Sequence, residues 1–230
     1  MPVLNNAIEF KSVFKTYGDN TVVDNLNLSI PEGKITVFVG PSGCGKTTSL
    51  RMINRMVEHT SGTILVNGED NTARPAHELR RSMGYVLQQA GLMPHRTIVD
   101  NISTVPRLNG VSARQAKSQA LELLNTVGLD ESFAKRYPSQ LSGGQAQRVG
   151  VARALASESS ILLMDEPFSA VDPVVRADLQ KELLRLQSTL GRTIIFVTHD
   201  MDEAILLGDY VAVFARGGRI AQFGTPEEIL

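Results

Sequence analysis

The sequence has no long apolar run and no excess of charge of either sign. No apolar stretch approaches the roughly 20 residues that span a bilayer, and 23 Lys and Arg residues balance 24 Asp and Glu residues, for a net charge of −1. The bulk charge therefore gives no reason to expect nucleic acid or an anionic membrane surface as a partner. Met1 to Phe10 lack a basic segment followed by an apolar one, so we expect a cytoplasmic protein.

Cysteine is nearly absent, since Cys44 is the single one in 230 residues. One cysteine cannot form an internal disulfide and has no second thiol with which to bind a metal, which fits a reducing compartment. Cys44 lies within a glycine-rich loop, where a small residue suits a tight turn, so we expect packing rather than redox chemistry. Alkylation of this thiol is expected to block the loop by its bulk.

That glycine-rich loop, Gly40-Pro41-Ser42-Gly43-Cys44-Gly45-Lys46-Thr47, fits the pattern Gly-x-x-x-x-Gly-Lys-[Ser/Thr]. In this pattern, glycines let backbone N–H groups turn toward phosphate, the lysine reaches the β- and γ-phosphates, and the final hydroxyl holds Mg²⁺. A continuous β-branched strand is predicted before the loop at Ile35–Val39, and a helix after it over Thr47–Met56. The order of strand, loop and helix predicts a nucleoside triphosphate site.

A second glycine-rich stretch, Leu141-Ser142-Gly143-Gly144-Gln145, leads into a predicted helix. The N-terminus of a helix offers unpaired N–H groups and the positive end of the helix dipole to an anion. Two such loops in one chain suggest a phosphate site that is built in two halves.

Two further apolar strands are predicted at Ile161–Met164 and Ile194–Val197, each followed by polar residues and a helical segment. Strands that alternate with helices predict a parallel α/β sheet. Gly40, Asp165 and His199 each come just after one of the buried strands, at the edge of a parallel sheet where ligands bind.

Asp165, Glu166 and His199 have the chemistry that a phosphate site needs. Asp165 is placed to hold Mg²⁺, and Glu166 is then free to orient or deprotonate a water, because phosphoryl transfer depends on positioning and charge stabilisation. On the same edge, His199 is expected to hydrogen-bond the γ-phosphate. The alternatives are that the acids only cap a helix or face solvent and that the histidine is structural, but the complete phosphate loop favours the catalytic roles.

The two ends of the chain have the patterns of antiparallel strands. Ile8–Tyr17 and Val22–Ile30 alternate apolar and polar residues on either side of a turn at Gly18–Asn20. Near the C-terminus, Tyr210–Phe214 and Arg219–Phe223 are expected to form a hairpin.

The middle of the chain is mostly helical. Ser112 and Gln115 resemble a capping box at the start of a helix for which Gly128 is a plausible stop. We therefore expect a single domain over 1–230, with a core of about 1–90 and 158–230 and a helical subdomain of about 91–157.

Taken together, these residues resemble the ATP-binding subunit of an ABC transporter over essentially the whole chain. By this resemblance, the residues that bind the nucleotide are Tyr17, which stacks on adenine, and the phosphate loop of Gly40, Pro41, Ser42, Gly43, Cys44, Gly45, Lys46, Thr47 and Thr48. Gln88 resembles the Q-loop glutamine. The expected Mg²⁺ ligands are Thr47, Gln88 and Asp165, and the expected catalytic residues are Lys46, Gln88, Glu166 and His199.

The resemblance also assigns the second glycine-rich stretch. The signature residues Ser142, Gly143, Gly144 and Gln145 are expected to contact ATP held by a second subunit. Ser169-Ala170-Val171-Asp172 resembles the D-loop of the family, in which Asp172 belongs to the nucleotide site.

The fold that the resemblance implies is α/β, a P-loop NTPase (RecA-like) parallel-sheet core with an N-terminal antiparallel β subdomain and an inserted α-helical subdomain. It implies ATP and Mg²⁺ as cofactors, hydrolysis of the ATP, and a head-to-tail homodimer in the ATP state.

The implied partners are transmembrane permease subunits and, indirectly, a substrate-binding protein, with no nucleic acid. The permease would hold the chain at the inner face of the plasma membrane. The coupling surface is expected near Gln88 and Gly91–Pro94. The alternative is that Leu92 and Met93 pack under the helical subdomain.

Three segments further resemble importers of quaternary-amine osmoprotectants such as glycine betaine, choline and carnitine: Arg51–Arg55, Gly84–Gln89 and Thr198–Ala204. Because other proteins select the solute, import of a different small solute is an alternative. A soluble ABC-type ATPase acting on nucleic acid or ribosomes is disfavoured, since the chain has one core, no sustained heptads and no basic stripe. A module that binds ATP without hydrolysing it is disfavoured by the presence of Glu166 and His199.

Overall fold

The structure is a computed structural model that describes residues 5–88, 90–169 and 171–230. Gln89 and Ala170, which belong to predicted motifs, lie outside the described residues, as does the side chain of Leu186. The chain divides into two compact units, one of Met1–Arg80 with Gln187–Leu230 and the other of Arg81–Leu186. The predicted helical subdomain at about 91–157 stays a prediction. Within the described ranges, no helix combines the length and the apolar character needed to cross a membrane.

The helices and strands follow one another in this order: β1 (Asn6–Tyr17), β2 (Asn20–Pro31), β3 (Ile35–Val39), α1 (Lys46–Ile53), β4 (Ser61–Val66), β5 (Glu69–Asp70), α2 (Ala76–Arg81), β6 (Met83–Val86), α3 (Ile98–Ile102), α4 (Thr104–Leu108), α5 (Ala113–Thr126), α6 (Gly143–Leu155), β7 (Ile161–Asp165), α7 (Pro173–Leu190), β8 (Thr193–Val197), α8 (Met201–Leu207), β9 (Tyr210–Ala215), β10 (Arg219–Gly224) and α9 (Pro226–Ile229). Two short 3₁₀ turns, Glu131–Phe133 and Pro138–Gln140, lie between α5 and α6.

The first unit contains an antiparallel sheet with the strand order β2-β1-β4-β5. The predicted pair of N-terminal strands is confirmed, and its turn is reduced to Gly18 and Asp19 because Asn20 already pairs with Tyr17. Phe10, in the inner strand β1, lies opposite Leu28 of β2 and Ile64 of β4. Sequence reasoning did not identify β4.

The first unit also contains the strands β10-β9-β3-β8 in that order. β3 pairs in parallel with β8 and β9, and β9 pairs antiparallel with β10, which confirms the predicted hairpin. Every residue of β3 and of β8 is buried, as their continuous apolar sequences predict. Phe38 lies opposite Val197, so the carboxyl ends of β3 and β8 meet at the same edge.

The second unit pairs β6 in parallel with β7, and Val86 lies opposite Met164 near their carboxyl ends. Helix α6 packs against β6 and against α3 and α5. The predicted cap of α5 is confirmed, because the Ser112 side chain accepts a hydrogen bond from the backbone N–H of Gln115 at 3.3 Å. Gly128, just beyond the helix, has a φ of 70°, which favours glycine.

One predicted helix is too long at its C-terminal end. The helix expected over Thr47–Met56 ends at Ile53. Arg55 has a φ of 55°, and an α-helix cannot continue through a residue in the left-handed conformation.

Candidate functional site

The loop between β3 and α1 requires glycine at several positions. Gly40, Gly43 and Gly45 have φ angles of 149°, 76° and 98°. A Cβ atom at Gly40 would lie 2.4 Å from the carbonyl oxygen of Phe214, and one at Gly45 would lie 2.8 Å from that of Val22. At Gly43 there is open space, so only the backbone conformation favours glycine there.

Lys46, the first residue of α1, has its ammonium group inside this loop. Its Nζ donates hydrogen bonds to the carbonyl oxygens of Gly40 and Pro41 at 2.7 and 3.0 Å, and the side chain is buried. A third contact, 3.7 Å to Cys44 Sγ, is to a weak acceptor. An ammonium has three donors, so Lys46 can offer one to a phosphate oxygen at the cost of this weakest contact.

The carboxyl end of β8 leads to His199 at the same edge as the loop after β3. His199 is exposed and is flanked by two fixed residues. The backbone N–H of Thr198 donates to the carbonyl oxygen of Phe38 at 3.1 Å, and Asp200 caps α8 by accepting from the N–H groups of Asp202 and Glu203. The first unit thus brings the phosphate loop and His199 to one edge.

Tyr17 ends β1 with its ring about half exposed, at 49%. Lys15 Nζ lies 4.4 Å from the centre of the ring. A cation over one face of a tyrosine is favourable, and an exposed aromatic ring is suited to stack on a purine base.

The second unit brings Gln88 and Glu166 together, because β6 and β7 are neighbours. Gln88 Nε2 donates a long hydrogen bond of 3.4 Å to Glu166 Oε2. Asp165, the last residue of β7, is buried, with 1% of its surface exposed. Glu166 is partly exposed, so consecutive carboxylates lie in different environments.

The backbone of Glu166 has a conformation that is costly for a residue with a side chain. Its φ is 45°, in the left-handed region. Ser169 holds this turn, since its backbone N–H and its hydroxyl both donate to the Glu166 carbonyl oxygen, at 3.2 and 3.0 Å. Such strained positions concentrate at functional sites. Nothing in the sequence indicated this strain.

The second glycine-rich stretch forms the N-terminus of α6, as predicted. Ser142 is the N-cap, and its hydroxyl accepts from the Gln145 N–H at 3.3 Å while Gln145 Oε1 accepts from the Ser142 N–H at 3.0 Å. The first turn of α6 contains no acidic residue. Ser142 and Gly143 are exposed, so the positive end of the helix is open to an anion. The Ser-x-x-Gln spacing signals this capping box, but sequence reasoning missed it.

Asp172, assigned by resemblance to the nucleotide site, has a local structural contact. Its Oδ1 accepts from the backbone N–H of Val174 at 3.0 Å, at the start of α7. Val171 is buried, and its Cγ1 would lie 3.9 Å from a Cβ placed on Gly144. The segment around Asp172 therefore packs near the signature residues of its own chain, while Ala170 lies outside the described residues.

Two residues of α6 that sequence reasoning did not single out contact the segment around Gln88. Gln147 donates to the carbonyl oxygen of Leu87, and Arg153 donates to those of Ala90 and Gly91. No sequence pattern identifies such contacts, since every residue has the same backbone carbonyl.

The loop residues of the first unit fit a nucleoside triphosphate, and each unit has an oxygen group of the kind that binds Mg²⁺. The loop cannot accept side chains at Gly40 and Gly45, the first turn of α1 has no acidic residue, and Lys46 places a cation there. The Thr47 hydroxyl and the Asp165 carboxylate are oxygen ligands of the kind that Mg²⁺ prefers.

Comparisons with known proteins agree with this geometry. The ABC transporter family model matches residues 23–169. The carnitine transport ATP-binding protein OpuCA of Listeria monocytogenes is 53% identical over 97% of this chain and 56% of its own. The choline transport ATP-binding protein OpuBA of Bacillus subtilis is 51% identical over 97% of this chain and 58% of its own. The chain thus spans little more than half the length of these curated relatives.

A solved structure gives the same result for the fold. The ATP-binding cassette MJ0796, in a dimeric post-hydrolysis state bound to ADP and Pi, superposes with a TM-score of 0.88 at 33% identity, over 95% of this chain and 98% of that chain. The family match also includes the phosphate loop, Gln88, the signature residues and Glu166. The chain therefore belongs to the ABC transporter family.

Proposed function

We propose that this chain hydrolyses ATP to ADP and phosphate and thereby powers import of a small solute, a quaternary-amine osmoprotectant, through a membrane ABC permease. The observation that carries the proposal is the Lys46 ammonium held inside a glycine loop at the start of α1. That arrangement is suited to the phosphates of a nucleotide.

The nucleotide is held by Tyr17 and by residues 40–48. Tyr17 stacks on the adenine with its exposed ring. The loop N–H groups and Lys46 bind the phosphates. Thr47, Gln88 and Asp165 would be the residues that hold Mg²⁺, and such an ion would supply positive charge to the phosphate oxygens.

Glu166 and His199 carry the chemistry. Glu166 accepts a proton from the attacking water, and Gln88, 3.4 Å from its carboxylate, keeps the carboxylate oriented. His199 donates a hydrogen bond to the γ-phosphate, where negative charge is concentrated during transfer.

The signature residues act on the nucleotide of a second subunit, and Asp172 belongs to the same composite site. Ser142 and Gly143 are exposed at the positive end of α6, as a site completed by another molecule requires. The solved relative MJ0796 is described as a dimer. Two subunits are therefore expected to close head to tail around two ATP molecules.

The permease contacts the segment around Leu92, Met93 and Pro94. Leu92 and Met93 are half-buried, so part of each apolar side chain is accessible to a partner. Asn101 supports the segment, because it accepts from the Met93 N–H at 2.7 Å and donates to the Met93 carbonyl at 3.2 Å. Docking here holds the chain at the cytoplasmic face of the membrane.

The solute class follows from the relatives. Their names assign transport of carnitine to OpuCA of Listeria monocytogenes and of choline to OpuBA of Bacillus subtilis. Both compounds carry a quaternary ammonium group. A substrate-binding protein, which this chain meets only indirectly, selects the solute.

The variant Glu166→Gln tests the catalytic role. Turnover should fall at least about a hundredfold, because an amide cannot accept the proton, while ATP affinity stays the same. With ATP the variant should elute as a dimer in gel filtration. Glu158→Gln is the matched control, since Glu158 has a similar φ of 51° in the same unit and no assigned role. Normal hydrolysis by Glu166→Gln would refute the assignment.

Uptake measurements test the solute. Deletion of the gene should abolish import of labelled glycine betaine, choline or carnitine, and the intact gene should restore it. Unchanged uptake of all three would contradict the osmoprotectant assignment and leave the ATPase assignment standing.

A further inference from the structure

Helix α6 is attached along one row of residues to the segment that contains Gln88. The row consists of Gln147, Gly150 and Arg153, which are spaced three residues apart and so follow one ridge of the helix. The segment consists of residues 87–91, of which 89 lies outside the described residues. All of these residues belong to the second unit.

The two ends of the row donate hydrogen bonds to backbone carbonyls on either side of Gln88. Gln147, which is buried, donates from Nε2 to the Leu87 oxygen at 3.0 Å. Arg153 donates from Nη2 to the Ala90 oxygen at 2.7 Å and from Nη1 to the Gly91 oxygen at 2.8 Å. We call these two side chains the Gln88 clasp.

Gly150, midway along the row, faces Ala90 of the segment. A Cβ atom at Gly150 would be 3.6 Å from Cα and Cβ of Ala90, which is an ordinary van der Waals distance. A methyl group would therefore fit here, whereas a side chain larger than that of alanine would push the segment away from α6.

Arg153 makes the more specific contact of the two. Burial lowers the pKa of its guanidinium from the ordinary value of arginine, so the charge is partly removed from water. Its partners are two successive carbonyls, which a forked guanidinium can bind together. A lysine keeps the charge but has no fork, so it cannot reproduce both bonds.

The clasp connects two parts of the proposed ATP machinery. On one side, Gln88 contacts Glu166 at 3.4 Å. On the other, the signature residue Ser142 is the N-cap of α6, and its capping box fixes the first turn. The hydrogen bonds of the clasp thus join the segment around Gln88 to the helix that begins within the signature.

We propose that Arg153 and Gln147 are positioning residues for Gln88 and hold it in register with the signature helix during ATP hydrolysis. The inference rests on the proposed function, since it assumes that Gln88 and Glu166 act in hydrolysis. It assigns α6 a second task besides presenting its N-terminus.

A double-mutant cycle on the whole chain tests this role, with Mg-ATP turnover, ATP affinity and melting temperature measured for each variant. Arg153→Lys should lower kcat about tenfold and leave ATP affinity within about twofold, because the phosphate loop is unaltered. In a Gln88→Ala background, the same substitution should lower kcat less than about twofold further, since Gln88 is already lost.

Arg148→Lys is the matched control. Arg148 lies on the same helix and also donates to a carbonyl, but its acceptor is Gly128, at 3.1 Å, rather than a residue of the segment around Gln88. Its substitution should change kcat less than about twofold. If Arg153→Lys does not fold, Gln147→Met, which removes the donor at similar volume, replaces it in the cycle.

Any one of three results would overturn the positioning role of the Gln88 clasp. These are equal losses of kcat from Arg153→Lys with and without Gln88, a loss of kcat from Arg148→Lys equal to that from Arg153→Lys, and no loss of kcat from Gln88→Ala. A wild-type chain without ATPase activity contradicts the proposed function instead.

Discussion

The phosphate loop depends on single positions where a side chain has either no space or no favourable backbone conformation. At Gly40 a side chain has neither space nor a favourable conformation, because its φ is 149° and a Cβ would lie 2.4 Å from a carbonyl oxygen. At Gly43 a side chain has open space, but the φ of 76° is unfavourable. Substitutions at these two glycines therefore distinguish the cost of steric overlap from the cost of backbone strain.

We expect Gly40→Ala to lower the free energy of unfolding by about 3 kcal/mol, since strain and overlap with Phe214 add. Gly43→Ala should cost only about 1 kcal/mol, from strain alone. Urea denaturation of both variants measures the difference. Equal costs would show that the loop relaxes around the added methyl group at Gly40.

At the scale of elements, α5 and α6 share a serine cap at their N-termini but are assigned different roles. In each, a serine N-cap accepts from the N–H three residues on at 3.3 Å: Ser112 from Gln115, and Ser142 from Gln145. Only the second helix begins with the glycine-rich signature. Comparing the two serine caps therefore distinguishes the contribution of a cap to helix stability from the proposed role of a cap residue at a nucleotide.

Ser112→Ala and Ser142→Ala should each lower the free energy of unfolding by about 1 kcal/mol, the usual cost of losing a serine cap. ATP turnover should fall only in Ser142→Ala, since we assign that hydroxyl to the partner's nucleotide. Steady-state ATPase assays with denaturant titrations test both statements. A similar loss of turnover in Ser112→Ala would attribute the effect to helix stability.

The turn after β5 makes the stability of the first unit sensitive to acid. The Thr72 hydroxyl, and next its backbone N–H, donate to Asp70 Oδ1 at 2.6 and 2.8 Å and lower the pKa of that carboxyl from its ordinary value. A depressed folded pKa stabilises the protein above the unfolded pKa, about 3.9. This contribution is lost as pH falls through the lower folded pKa.

Thr72→Val removes the hydroxyl donor, so the pKa of Asp70 should rise toward its ordinary value. The loss of stability as the pH falls below about 4 should then be smaller than in the wild type. NMR titration of Asp70 and denaturation at several pH values measure both effects. Thr126→Val is the control, because that hydroxyl donates to the Glu122 carbonyl and to no carboxylate. Identical acid profiles for wild type and Thr72→Val would contradict the assignment.

At the scale of the whole molecule, the two glycine-rich stretches to which we assign phosphate binding belong to different units. The loop with Lys46 belongs to the first unit and the signature at Ser142 to the second. In the proposed head-to-tail dimer, each ATP is bound by Lys46 of one subunit and by the signature of the other. Substitutions in the two loops should therefore have different effects when they are placed in the same subunit or in different subunits of a dimer.

Heterodimers purified with two affinity tags test the arrangement. One subunit with Lys46→Ala paired with one with Ser142→Arg should retain one intact site and measurable turnover. A wild-type subunit paired with a subunit that carries both substitutions should have no intact site and no turnover, because the two substitutions then damage different sites. If each chain used its own two loops, these results would be reversed.

Parts of the fold could be predicted because their signals are local. The buried strands β3, β7 and β8 are continuous apolar runs, and the cap at Ser112 is a spacing of three residues. β4 was missed, since its placement beside β1 depends on pairing between distant parts of the chain. The predicted helix over Thr47–Met56 was too long because the left-handed φ of Arg55 is not visible in its residue type.

The sequence alone determined the chemical groups and their local settings: the glycines and lysine of residues 40–48, the signature at 141–145, and the acids after β7. The tertiary structure decided that Glu166 is held in a strained turn beside Gln88, and that Gln147 and Arg153 attach the signature helix to the segment around Gln88. The reason is physical. A side-chain motif is encoded in residue types, whereas a hydrogen bond to a backbone carbonyl can form with any residue and is fixed only by the folded path of the chain.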